Sequence, residues 1–144
     1  MTNILLTTDA MVTIGGKEIV LIKRAKEPFM DKLVMPGGHV DLRDQSVAHA
    51  CARELEEEVG LKVGVDDLKF LTVLDAPDRD PRTDARRISI VYTIDLPNKS
   101  LLENCKAATD AKEIHVVNID KLKKEDLGFD HWEAVEKWKK ENEA

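Results

Sequence analysis

The sequence predicts an α/β (α+β) fold in which helices pack against both faces of a β-sheet. Three features predict it: β-rich runs recur along the chain, helical stretches separate them, and glycine and proline mark the breaks. From Ile4 to Arg24 two β-rich runs flank Gly15 and Gly16, which can take positive φ. A hairpin is expected, with strands over Thr8 to Ile14 and Ile19 to Arg24. A loop with Pro28 follows; Leu33 to Met35 can pair briefly before Pro36, Gly37 and Gly38 force a sharp turn. Val47 to Val59 holds helix-forming residues almost throughout, with Ser46 placed to cap its start and Gly60 to end it. Next, Leu68 to Ala76 and Arg87 to Leu96 read as strands enclosing a loop rich in Pro, Asp and Arg, and Glu113 to Ile119 reads as a last strand. Asp130 is expected to cap a final helix running through Trp132, Val135 and Trp138.

The 144 residues have the size of one domain, 1–144, able to bury a core without disulfides or structural metal. Hydrophobic residues make up 42% and charged residues 35%, the balance of a globular chain. A net charge of −6 argues against a face that tracks a nucleic acid polymer, although clustered arginines can still grip a small anion. Cys51 and Cys105 lack pairing or metal-ligand spacing and are expected to be buried thiols in a reducing compartment. No apolar run approaches the roughly 20 residues of a membrane span, and no basic leader precedes one. The expectation is a cytoplasmic protein without a membrane partner.

The helix carries an anomaly. Glu54, Glu57 and Glu58 fall within an arc of about 100°, because spacings of three and four bring side chains together. Beside them Ala48, Cys51, Ala52, Leu55 and Val59 form the apolar stripe that holds the helix on a sheet, while Glu56 points to solvent. Three like charges at such spacings repel, more so beside a core. A hard divalent cation offsets that, since Mg²⁺ takes carboxylate and water oxygens and completes its shell with phosphates. Arg53, four residues before Glu57, can orient that carboxylate. A bare run of glutamates is usually a solvated face. This one borders a buried stripe, ends at a glycine cap and follows a Pro-Gly-Gly segment.

Those residues resemble the Nudix hydrolases. Arg53, Glu54, Leu55, Glu57, Glu58, Gly60 and Leu61 match the second half of that family's box, Arg-Glu-aliphatic-any-Glu-Glu-any-Gly-aliphatic. The first half departs: five residues after Gly38 comes Asp44 in place of a glutamate, and eight more precede Arg53, one beyond the usual spacing. Asp44 is a candidate to fill the glutamate's supporting role with a shorter side chain, while counting back seven from Arg53 instead gives Gln45.

The resemblance implies the Nudix fold, a mixed sheet sandwiched between helices, and hydrolysis of a nucleoside diphosphate linked to another moiety. It implies Mg²⁺ or Mn²⁺ as cofactor, held by Glu54, Glu57, Glu58 and the Gly38 carbonyl, with Arg53 completing the catalytic group. Candidates for the general base are Glu54, then Glu113, with Asp110 and Glu103 behind. The approach to the box, Leu21 to Asp41, is also similar to the family's and supplies Arg24 and Gly37 as substrate-binding candidates.

After the box, Pro77, Arg79, Asp80, Pro81, Arg82 and Arg86 lie in one loop whose arginine forks suit phosphate oxygens. Pro77, sixteen residues beyond Leu61, resembles the marker proline of relatives acting on ADP-ribose, and Asp78 to Arg82 look like the loop of bacterial ADP-ribose pyrophosphatases, with Thr83 where a glycine often follows. Arg79, Asp80 and Arg82 are therefore the substrate-binding candidates, and the implied reaction is ADP-ribose to AMP and ribose 5-phosphate. The alternatives are another nucleoside diphosphate sugar, a dinucleotide, or non-catalytic binding of ADP-ribose. The resemblance further implies a homodimer. His39, His49, His115 and His131 do not cluster in sequence, and Trp132 and Trp138 suit core or dimer contacts.

Overall fold

The computed structural model describes residues 3–102 and 113–143. In chain order the elements are β1 Ile4–Ile14, β2 Glu18–Lys23, β3 Leu33–Val34, β4 Gly37–His39, α1 Val47–Val59, β5 Lys69–Leu74, β6 Arg86–Leu96, β7 Glu113–Asn118 and α2 His131–Asn142. One mixed sheet carries the order β3-β2-β1-β6-β5, with β4 also on β1 and β7 also on β2. The β1–β6 pair is parallel along its whole length, Ile4 opposite Arg86 through Ile14 opposite Leu96. Other strand pairs are antiparallel.

Successive side chains on a strand point to opposite faces, and here both faces are apolar. Ala10, Val12, Ile14, Val20 and Ile22 pack with Cys51, Leu55 and Val59 of α1. Met11, Ile19 and Leu21 pack on the other side with Leu71, Leu74, Ala134 and Val135, flanked by Trp132 and Trp138 of α2. The sheet therefore lies between the two helices, as the sequence predicted. No helix among the described residues is long and apolar enough to cross a membrane.

The α1 helix starts and stops where its sequence says. Ser46 takes an extended backbone and accepts from the His49 N–H at 3.1 Å; Gly60 closes the helix in the left-handed region at φ 73°. Ser46→Ala is expected to lower stability by about 1 kcal/mol, and the melting temperature by about 3 °C in thermal unfolding. An unchanged midpoint would mean the cap does nothing.

Three local expectations are corrected. β1 begins at Ile4, ahead of Thr8, because the parallel partner β6 supplies hydrogen bonds that exposed Ile4 could not advertise. Gly37 and Gly38 do not turn: they run straight as β4, Gly37 opposite Asp9 and Gly38 opposite Thr8. Their glycine identity serves close approach instead. A methyl on Gly37 would lie 2.2 Å from the Thr8 carbonyl oxygen and 2.3 Å from Asp9 Oδ1; one on Gly38 would lie 2.5 Å from the Glu54 carboxylate. Asp130 stands at the start of α2, but its side chain caps nothing and pairs with Arg79 instead. Cys51 is buried as expected, whereas Cys105, Glu103 and Asp110 lie outside the described residues.

Candidate active site

The three glutamates of α1 share a face but not an environment. Glu58 is 6% exposed and accepts from the Gly37 N–H at 3.3 Å. Glu54, its side chain 14% exposed, abuts Gly38, and Glu57 reaches out to solvent. Arg53 ties this face to the loop before the helix. Its Nε and Nη2 donate to the two oxygens of Asp44, each at 2.9 Å, Nη1 reaches Glu54 at 3.0 Å and Glu57 at 3.2 Å, and Nη2 also meets the His39 carbonyl at 3.1 Å. Asp44 thus receives the fork despite the longer loop and shorter side chain, and the Arg53 guanidinium holds its carboxyl down at about 2.

Glu54 moves the other way. Burial, then the Glu58 charge, push its carboxyl up to about 7 in spite of Arg53. Among the described residues no three His, Cys, Asp or Glu side chains enclose an ion as they stand, since Glu57 is turned to Arg53. In kind, however, the donors fit a hard cation: carboxylate oxygens, a glycine backbone that lets Glu54 come close, and a Glu54–Glu58 repulsion that bound positive charge would relieve.

That repulsion has a pH signature. Between about 4.5 and about 7 the folded metal-free protein holds a proton on Glu54 that the unfolded chain has released, so stability falls as pH rises through this window. Discounted for solvent screening, the loss attributable to Glu54 is about 1–2 kcal/mol. The melting temperature without metal is expected to drop correspondingly from pH 5 to pH 8, and added Mg²⁺ to raise it more at pH 8 than at pH 5. Equal stabilisation by Mg²⁺ at both values would contradict it.

A cleft of about 560 Å³ opens beside the acidic face, bounded by Gly37, Gly38, His39 and Glu58 on one side and by Arg79, Asp80, Arg82 and Arg87 on another. Of the loop arginines, Arg79 is buried, with Nε and Nη2 donating to Asp130 at 2.9 to 3.2 Å, as a buried guanidinium must be paired. It anchors the loop to α2 and is not an open fork. Arg82 is exposed; it holds Asp80 at 2.6 Å and keeps a free edge toward solvent. Arg86 lies at the start of β6 and bonds the Asp75 carbonyl. Arg24 lines the same cleft, its guanidinium 5.1 Å over the Phe129 ring and its Nε on the Pro28 carbonyl. Glu113, by contrast, opens β7 opposite Lys23, bonds His115 at 3.1 Å and does not line the cleft.

Sequence reasoning missed Asp9, His39, Arg87, Phe129 and His131, all of which line the cleft. Arg87 donates to His39 Nε2 at 3.3 Å, and burial with Arg87 and Arg82 nearby lowers the His39 imidazole. The one available signal was Asp9, an acid inside an otherwise apolar strand.

A NUDIX domain family model matches residues 5–138. The chain is 39% identical over 125 residues to an ADP-ribose pyrophosphatase of Methanocaldococcus jannaschii, covering 85% of this chain and 68% of that one. The fold is similar to the NUDIX domain of Shewanella oneidensis NrtR complexed with ADP ribose (TM-score 0.80, 20% identity, 98% of this chain and 90% of that chain). It is also similar to a bifunctional NMN adenylyltransferase/ADP ribose pyrophosphatase from Francisella tularensis complexed with AMP and Mn ion (TM-score 0.74, 26% identity, 94% of this chain). Several such relatives are longer, and the chain spans 40% to 62% of their length.

Proposed function

This chain belongs to the Nudix family and is a Nudix pyrophosphohydrolase, and from that premise we propose that it hydrolyses ADP-ribose to AMP and ribose 5-phosphate with Mg²⁺ or Mn²⁺. The observation that carries the reading is the meeting of the acidic face of α1 with an arginine-bearing cleft at Gly37 and Gly38. The 39% identity to an enzyme named for this activity supports the choice of substrate.

In this reading Glu54, Glu57, Glu58 and the Gly38 carbonyl would hold the cation, which when bound would neutralise diphosphate charge and lower the pKa of a bound water. Arg53 aims Glu54 and Glu57 and is itself fixed by Asp44. Arg82, assisted by Arg24, takes phosphate oxygens, while Arg79 and Asp80 shape the loop that carries Arg82. Glu54, half-buried beside Gly38 at the acidic face, is the first candidate to accept the proton of the attacking water, ahead of Glu113 on the far strand.

The test is a panel of ADP-ribose, other nucleoside diphosphate sugars and dinucleotides with Mg²⁺ and Mn²⁺, run beside Glu57→Gln. AMP release from ADP-ribose, lost in the variant, is the expected result. Absence of ADP-ribose turnover at every metal concentration defeats the substrate assignment, and tight ADP-ribose binding without any hydrolysis would point to a sensor.

A further inference from the structure

Behind the cleft, β1, β6 and the link between β3 and β4 meet around one buried side chain at the start of α2. His131 opens α2 and is 3% exposed. Its Nδ1 accepts the Met35 backbone N–H at 3.1 Å, so that nitrogen carries no proton and Nε2–H is the tautomer present. Nε2 faces Asp9 Oδ2 at 3.6 Å, and Ser89 Oγ donates to the same oxygen at 2.5 Å. Among the described residues no buried side-chain nitrogen or oxygen lacks a hydrogen-bond partner, so the cluster is closed.

What the cluster touches is the segment from Met35 to Gly38. Met35 hangs on His131, the Pro36 carbonyl accepts from Ala10 N–H at 2.8 Å, and Asp9 Oδ1 presses where a Gly37 side chain would be. On the opposite side Gly37 N–H donates to Glu58, and Gly38 abuts Glu54. The segment is thus clamped between a buried imidazole at one end and the acidic face at the other. Asp130, next to His131, is locked to Arg79 of the cleft loop, so α2 cannot slide independently of either wall.

We infer that His131 is a positioning residue: through its Nδ1 hydrogen bond to Met35 it sets the Gly37–Gly38 strand against Glu54 and Glu58. The inference rests on the proposal that this strand and these glutamates form the diphosphate site. It assigns the work to one ring nitrogen, which two variants separate. In His131→Asn the amide oxygen falls where Nδ1 was and can still take the Met35 N–H. In His131→Gln the amide group falls near Nε2, keeping the Asp9 contact while leaving Met35 unpaired.

The experiment measures ADP-ribose turnover, melting temperature and backbone amide exchange in both variants. His131→Gln is expected to speed exchange of the Met35 and Gly37 amides about 10-fold and to lower kcat by a similar factor with KM little changed; His131→Asn is expected to stay within about 3-fold on both. If His131 merely fills space, the smaller asparagine is the worse variant and activity follows melting temperature. That ordering overturns the inference. Should the wild-type protein leave ADP-ribose untouched, the substrate proposal fails, and the Gly37 exchange comparison still decides the role of His131.

Discussion

Glu58→Gln is expected to act in two opposite directions: turnover falls about 100-fold or more, while the metal-free protein melts at a higher temperature at pH 8. The isosteric amide keeps an oxygen for the Gly37 N–H, so the strand stays in place. What disappears is one charge. After burial, that charge is the foremost cause pushing the Glu54 carboxyl up, and it also attracts Arg24 across the cleft. Removing it takes away the repulsion on Glu54, whose carboxyl should move back toward its ordinary 4.5 while burial still holds it up. The expected gain is about 1 kcal/mol, roughly 3 °C. Kinetics with Mg²⁺ and calorimetry without metal measure the two effects on one sample. A variant that is slower and also less stable at pH 8 would show that Glu58 is held for packing and not against its own repulsion.

Gly37→Ala is expected to be the most damaging small substitution in the site. Its added carbon would meet the Thr8 carbonyl oxygen at 2.2 Å and the Asp9 α-carbon at 2.9 Å, both backbone atoms that cannot rotate aside. Either β4 leaves β1 or both strands bend, a cost of about 3 kcal/mol and about 10 °C in melting temperature. Gly38→Ala makes the informative contrast, because there the obstacle is the flexible Glu54 carboxylate. It should melt near the wild type and yet lose activity. If Gly37→Ala melts within about 2 °C of the wild type, the strand is not packed as tightly as these distances require.

The helix with its acidic face was legible before any coordinates because its determinants are local. Ser46 and His49 are three residues apart, Gly60 closes the same helix, and the spacing of Glu54, Glu57 and Glu58 fixes their common side. The strands were legible for the same reason, since β-rich composition and the glycine and proline breaks that bound it lie within short stretches. Asp44 could be named for the supporting place of the box's first glutamate, but that it supports Arg53 came only with the structure.

Contacts between distant segments were not legible. A Pro-Gly-Gly sequence is compatible with a turn or a strand, and only the pairing with β1, too close for a Cβ on Gly37, decides for the strand. Arg79 looked like a phosphate fork because nothing near it in sequence announces Asp130, fifty-one residues away. His131 looked idle until Met35 and Asp9 arrived beside it. The sequence by itself therefore determined which side chains share a helix face, where that helix ends and that like charges crowd on it. Tertiary structure alone decided which of them are desolvated, which arginine stays available and which backbone amide meets which carboxylate. The physical reason is that propensity and periodicity act over a few residues, whereas burial and ion pairing depend on whatever the folded chain brings alongside.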